Sequence, residues 1–133
     1  MRLDHIGIAV RDLDSAVEHY EQLLDAACEK REYVEGEQVD VAFFEAGESK
    51  LELLASNEEN SAIRKFLAKR GEGIHHIAFQ VDNIESELQR MKGLGYRVLN
   101  ETPKLGANNK LVAFLHPKDQ HGVLIELCQT RPD

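Results

Sequence analysis

The chain has 133 residues, of which 42% are hydrophobic and 30% are charged, values that fit one compact globular domain. Its formal net charge of -8 argues against binding to a nucleic-acid backbone, because neutralising phosphates requires a concentrated basic surface. The sequence has neither an apolar stretch of about 18 residues that could span a bilayer nor an export leader, so we expect a cytoplasmic protein without membrane contact.

A strand-like stretch at the start of the chain is repeated later in the sequence. The residues LDHIGIAV at positions 3–10 correspond to IHHIAFQV at positions 74–81, and each copy has a histidine at its third position. The offset of 71 also relates VAF at 41–43 to VAF at 112–114. Such self-similarity at a fixed offset indicates two structural modules of one kind.

The repeat extends to a glutamate near the end of each half. After a three-residue insertion in the second half, an offset of 74 relates Leu51-Glu52-Leu53 to Ile125-Glu126-Leu127. Each half therefore carries one histidine early and one glutamate late.

Apolar periodicity predicts the same order of elements in both halves. In the first half we expect a strand at 3–10, a helix capped by Asp12 or Asp14, and strands at 39–44 and 50–54 joined by a turn at 45–49. The region 29–37 is a strand or a loop. The expected buried stripe of the helix is Val17, Tyr20, Leu24 and Ala27.

The second half repeats this order after a linker that contains a short helix. We expect a strand at 74–81, a helix capped by Asn83, and strands at 96–99, 111–115 and 123–128. The residues expected to face inward are Ile63, Phe66 and Leu67 in the linker helix, and Ile84, Leu88 and Met91 in the second helix.

These elements predict an α+β fold made of two βαβββ modules. The modules cover about residues 1–55 and 74–130, with the linker helix at about 56–73, and together form a single domain over 1–133. Helices lie on the outside, and the mixed sheets form a shared concave groove. Because side chains alternate along a strand, His5 faces the groove while Ile6, Ile8 and Val10 face the helices.

An approximate two-fold relation between the modules brings two histidines and two glutamates together in the groove. The four residues are His5, Glu52, His76 and Glu126. Two imidazole nitrogens and two carboxylate oxygens suit one divalent ion such as Mn, Fe, Co, Ni or Zn, whereas Ca and Mg favour oxygen ligands alone. His75 alternates to the opposite face, which indicates either a packing role or a role behind the metal ligands.

This arrangement resembles the vicinal oxygen chelate superfamily, whose fold is called glyoxalase-like. The stretches GIHHIAF at 73–79, PKLGA at 103–107, LHPKD at 115–119 and GVLIEL at 122–127 are similar to those of methylmalonyl-CoA epimerases in particular. Characterised epimerases can have glutamine at the position of Glu52, whereas glyoxalase I has glutamate there.

The resemblance implies a metal-dependent epimerase that interconverts the C2 epimers of methylmalonyl-CoA. A proton is removed to give a metal-stabilised enolate and is then returned on the other face. Glu126 is one expected catalytic residue. Asp40, on the strand next to Glu52, is the second, although alternation along that strand allows either face.

The resemblance also implies a homodimer and a small acyl-CoA substrate. Lys104, Lys110 and Lys118 lie on irregular stretches and can meet its anionic arm. Two alternatives stay open: a lactoylglutathione lyase of the glyoxalase I type, which uses the same four ligands, and a metal-free small-molecule binding protein. A dioxygenase fits less well, since its usual facial triad contains one carboxylate and this chain offers two.

Overall fold

The structure is a computed structural model that describes residues 1–132, and it divides into two compact units. The N-terminal unit comprises residues 5–75, and the C-terminal unit comprises residues 1–4 together with residues 76 onward.

The N-terminal unit contains the first βαβββ module. Its elements are β1 (Arg2–Ala9), α1 (Leu13–Leu24), β2 (Lys30–Val34), β3 (Val39–Ala46) and β4 (Ser49–Ala55), with the first residues of β1 belonging to the other unit. The strands lie in the order β2-β3-β4-β1, in which β1 and β4 are parallel and the other pairs are antiparallel. The module therefore has a mixed sheet, as predicted.

One face of this sheet is covered by α1. Asp12 starts the helix by accepting a hydrogen bond from the backbone N–H of Ser15, and Asp25 ends it in the left-handed conformation. Ala27, which was predicted to lie in the buried stripe, is outside the helix and exposed. The buried residues between α1 and the sheet are Val10, Val17, Ala42, Phe44, Leu53 and Ala55.

The predicted linker helix is α2 (Ala62–Arg70), which packs on β4. The side chain of Ser61 caps it by accepting from the backbone N–H of Arg64. Ile63 and Leu67 are buried, as predicted from their spacing.

The C-terminal unit contains the second βαβββ module. Its elements are β5 (Gly73–Gln80), α3 (Ile84–Gly93), β6 (Lys104–Leu105), β7 (Lys110–Leu115) and β8 (Ile125–Thr130). The strands lie in the order β5-β8-β7-β6, with β5 and β8 parallel. Asn83 caps α3, and the core between helix and sheet contains Val81, Ile84, Leu88, Met91, Ala113, Leu115 and Leu127.

One predicted strand is wrong. Residues 96–99 make a single bridge, between Val98 and Leu115, and the strand that follows α3 is instead the short β6. Two backbone hydrogen bonds still hold this segment beside β7, from Leu99 to Phe114 and from His116 to Arg97. The predicted α+β class and the two βαβββ modules are confirmed. Among residues 1–132, no helix is long and apolar enough to cross a membrane.

Candidate metal centre

The N-terminal unit brings His5 and Glu52 together. In the parallel pairing of β1 with β4, Gly7 lies opposite Glu52, and alternation puts His5 on the same face as Gly7. The Nδ1 atom of His5 lies 3.1 Å from the Oε2 atom of Glu52, and both side chains are only 6% exposed. The predicted early histidine and late glutamate of this half are therefore neighbours.

The C-terminal unit brings His76 and Glu126 together in the same way. Ala78 lies opposite Glu126 in the parallel pairing of β5 with β8, and His76 shares the face of Ala78. The Nε2 atom of His76 lies 3.3 Å from the Oε1 atom of Glu126, and the two side chains are 6% and 7% exposed.

The two pairs have equivalent neighbours. In each unit a small residue pairs with the glutamate on the parallel side, and a phenylalanine pairs with it on the antiparallel side. These neighbours are Gly7 and Phe43 for Glu52, and Ala78 and Phe114 for Glu126. The edge of the Phe114 ring also contacts His76, with centroids 5.9 Å apart. Each glutamate thus pairs with a small residue on one side and an aromatic residue on the other, and both glutamates are buried.

The spacing of donor atoms in each pair fits adjacent ligands of one ion. Nitrogen and oxygen ligands lie about 2.1 Å from a divalent ion of the zinc type, so two of them at right angles are about 3 Å apart. The observed separations are 3.1 Å and 3.3 Å. A carboxylate buried this deeply also requires a positive partner, which an ion or a protonated histidine can supply.

His75 lies in a different setting from its neighbour His76. Its ring packs edge-on against Phe66, with centroids 5.0 Å apart. Burial lowers the pKa of His75 to about 4, and the nearby carboxylate of Glu37 opposes this shift only in part. A neutral, packed imidazole agrees with the packing role predicted for this residue.

Asp40 does not share a face with Glu52. Glu52 pairs with Phe43 across β3 and β4, and Asp40 lies three residues from Phe43, which directs it to the opposite face. That face is the one on which Phe44 packs against α1. The sequence correctly predicted Asp40 on the strand next to Glu52, but the expectation that it flanks the substrate has no support in this geometry.

The three lysines expected to meet an anionic arm have different environments. Lys118 is exposed in a short 3-10 turn, and Lys104 begins β6 rather than lying in a loop. Lys110 begins β7, where its ammonium makes a buried ion pair with Asp4. No local sequence pattern predicts this pair, because its members are 106 positions apart.

Comparison with known proteins agrees with the fold. The family model described as the glyoxalase/bleomycin resistance protein/dioxygenase superfamily matches residues 4–114. The chain belongs to this superfamily. Enzymes of the superfamily typically bind a divalent metal, and the paired histidines and glutamates are candidate ligands for it.

Several relatives within the superfamily are epimerases. The mitochondrial methylmalonyl-CoA epimerase of Homo sapiens is 42% identical over 129 residues, which cover 96% of this chain and 73% of that protein. The ethylmalonyl-CoA/methylmalonyl-CoA epimerase of Cereibacter sphaeroides is 42% identical over 130 residues, covering 96% and 97% of the two chains.

A solved structure of the same superfamily matches at the level of the fold. A variant of Streptomyces coelicolor methylmalonyl-CoA epimerase in complex with 2-nitronate-propionyl-CoA is 40% identical, with a TM-score of 0.93. The match covers 98% of this chain and 94% of that one. The predicted glyoxalase-like fold is confirmed.

Proposed function

We propose that this protein is a methylmalonyl-CoA epimerase that holds one divalent metal ion through His5, Glu52, His76 and Glu126. The observation that carries the proposal is the pair of buried His–Glu contacts at repeat-equivalent positions. The full-length similarity to epimerases, including one in complex with an acyl-CoA analogue, supports the substrate class.

The four proposed ligands fit an ion that accepts both nitrogen and oxygen, such as Co, Mn, Zn, Ni or Fe. When bound, the ion supplies Lewis acidity that stabilises the negative charge formed when the C2 proton of the substrate leaves. The two glutamates offset the charge of the ion, and their strands fix the direction from which each carboxylate approaches.

Glu126 is the residue that we propose removes or returns the proton on one face of C2; a donor on the other face completes the inversion. A carboxylate has two oxygens, so Glu126 can act as a ligand through one and as a base through the other. An unperturbed glutamate, with a pKa of about 4.3, is a weak base for a C–H bond, so the reaction depends on stabilising the enolate. The neighbouring Phe114 and His76 keep Glu126 in place and away from solvent.

The test of this function compares two substrates. Purified protein is incubated in deuterated water with methylmalonyl-CoA or with the methylglyoxal–glutathione hemithioacetal, and loss of the C2 proton or formation of lactoylglutathione is followed by NMR. We expect exchange with the CoA ester alone. Turnover of the hemithioacetal instead indicates a lyase, and no turnover combined with no bound metal indicates a binding protein.

Two variants separate the proposed base from a general effect of charge. Glu126→Gln retains an oxygen ligand but removes the base, and we expect exchange to fall about 100-fold or more. Glu48→Gln makes the same change on an exposed turn and should keep wild-type exchange. Full exchange by the Glu126→Gln protein contradicts the assignment.

A homodimeric state and a cytoplasmic location are further parts of the proposal, and both rest on the sequence. Light scattering on the purified protein checks the first, with a mass of about 30 kDa expected from the 15.0 kDa chain. Fractionation of the source cells checks the second.

A further inference from the structure

A buried polar cluster in the C-terminal unit has no part in the proposed ligand set. It consists of Lys110, Asp4 and Gln80, and we call it the Lys110 cluster. The Nζ atom of Lys110 lies 2.5 Å from Oδ1 of Asp4 and 3.2 Å from Oε1 of Gln80. The side chains of Lys110 and Asp4 are only 13% and 11% exposed. Burying most of a lysine costs free energy unless its charge is paired, and Asp4 supplies the pairing charge here.

Lys110 lies on the same sheet face as Glu126. In the antiparallel pairing of β7 with β8, Phe114 is opposite Glu126 and Lys110 is opposite Thr130. Residues four apart on a strand share a face and are separated by about 13 Å. The side chain of Lys110 therefore projects from the same sheet face as the side chain of Glu126.

One N–H donor of the Lys110 ammonium is not used by Asp4 or Gln80. A lysine ammonium has three N–H donors, and Asp4 and Gln80 accept two of them. No further acceptor for Lys110 lies among residues 1–132 within hydrogen-bond distance. A buried donor requires a partner, which water or a bound molecule can provide.

The charges of Lys110 and Asp4 determine which kind of group can accept this hydrogen bond. Asp4 already neutralises Lys110, so a carboxylate or phosphate placed beside the ammonium would also meet the negative charge of Asp4. A neutral carbonyl oxygen avoids this repulsion and still gains a hydrogen bond from a charged donor. The cluster therefore fits an amide carbonyl better than an anion.

The cluster also breaks the internal repeat. The offset of 71 that relates His5 to His76 places Val39 at the position equivalent to Lys110, and Ala9 at the position equivalent to Gln80. Both are apolar and buried. The proposed ligands are the same in both halves, whereas the Lys110 cluster is present only in the C-terminal unit. The cluster can therefore distinguish the two ends of an asymmetric substrate.

We propose that Lys110 recognises the pantetheine arm of the acyl-CoA substrate by donating its third N–H to an amide carbonyl. Asp4 and Gln80 hold the ammonium in place. This inference rests on the proposed function, since it assigns a contact to that substrate. The proposed hydrogen bond favours a thioester that contains an amide over a simple thioester with the same reacting acyl group.

The experiment measures C2 proton exchange with three methylmalonyl thioesters: those of CoA, pantetheine and ethanethiol. The last has no amide. In the Lys110→Met protein, kcat/KM for the CoA and pantetheine esters should fall about tenfold to thirtyfold, as expected for one lost hydrogen bond to a charged group. For the ethanethiol ester it should change less than twofold. Lys110→Arg, which keeps a charged donor, should recover part of the loss.

A second variant separates recognition from stability, because Lys110→Met leaves Asp4 buried without its cation. The Asp4→Asn/Lys110→Met protein keeps the pair neutral and should show the same dependence on the amide, with a thermal midpoint closer to wild type. An equal loss with all three thioesters, or no loss with any, overturns the inference. If the wild-type protein exchanges none of the three, the proposed function itself fails.

Discussion

Glu52 and Glu126 are carboxylates that the fold buries almost completely, each beside a histidine nitrogen. Burying a charged group is unfavourable without a partner, so each pair has a marked preference for an added cation or a shared proton. The flanking Gly7 and Ala78 are small enough to allow this approach. In each unit, a few residues on two paired strands thus hold one glutamate beside one histidine.

The position of Asp40 predicts that this residue does not transfer the C2 proton. It lies on the face of β3 that meets α1, opposite to the face of Glu52, and lines a cleft with Arg31 and Tyr33. We therefore expect Asp40→Asn to keep kcat/KM for methylmalonyl-CoA within about twofold of wild type, since general base catalysis contributes about 100-fold or more where it operates. Steady-state kinetics check this.

The comparison with Glu126→Gln makes the result decisive. Both changes replace a carboxylate by an amide on the sheet, but only Glu126 lies beside a histidine. A loss of 100-fold in the Asp40→Asn protein would restore Asp40 as a proton carrier and would require β3 to present its other face.

At the scale of elements, the loop between β7 and β8 is held by one ion pair. Arg97 donates from its backbone N–H and from two guanidinium nitrogens to the carboxylate of Asp119, over distances of 2.9 to 3.1 Å. The loop precedes the strand that carries Glu126, so these hydrogen bonds help to fix where β8 begins. The segment 96–99, although not a regular strand, therefore contributes to the position of the site.

This ion pair predicts how stability depends on pH. Hydrogen bonds from Arg97 lower the pKa of Asp119 to about 2, from 3.8. A carboxyl whose pKa is lower in the folded state stabilises the protein above its unfolded pKa and loses that effect as pH falls through the folded pKa. The stabilisation is thus complete above about pH 4 and disappears toward pH 2.

Thermal unfolding of Asp119→Asn tests the prediction. Because the pair is exposed to solvent, we expect a modest decrease in the midpoint, about 1 to 3 °C near pH 7, that shrinks as pH falls to 2 and as salt is added. Asp82→Asn, a change at an exposed aspartate, should have no such dependence. A difference that grows at low pH would contradict the lowered pKa.

Over the whole chain, the proposed function requires that ligands from both halves bind the same metal ion. Each compact unit supplies one histidine and one glutamate, and we propose that all four bind a single metal. An ion bound by both halves links their stabilities. A ligand that binds only the folded state stabilises it by about 4 kcal/mol when the free ligand concentration is 1,000 times Kd.

Calorimetric titration of chelator-treated protein with Co²⁺ measures this. We expect one binding event per chain, and we expect Glu52→Ala and Glu126→Ala each to weaken that same event by about 100-fold or more, since loss of a ligand should exceed the effect of losing an outer partner. Glu48→Ala is the control. Two independent events, each abolished by only one variant, would show that the halves bind metal separately.

Features that depend on a local pattern were predictable from the amino-acid sequence alone. Alternation and the repeat located His5 and His76 on their strands, and the caps Asp12 and Asn83 marked where α1 and α3 begin. The segment 96–99 has strand-like composition but makes only one bridge, and Ala27 continues a helical spacing past the point where Asp25 ends α1. At these two places the backbone does not adopt the strand or helix that the local sequence pattern predicts.

The folded sheet was needed to tell which face each strand residue occupies and which distant residues meet. Alternation alone divides β3 into two sets, but the pairing of Phe43 with Glu52 is needed to tell which set contains Asp40. The contact of Asp4 with Lys110 joins positions 106 apart, beyond any local pattern. The physical reason is that strand register and long-range ion pairs are fixed by the packing of the complete sheet, whereas spacing within one segment is fixed by the backbone.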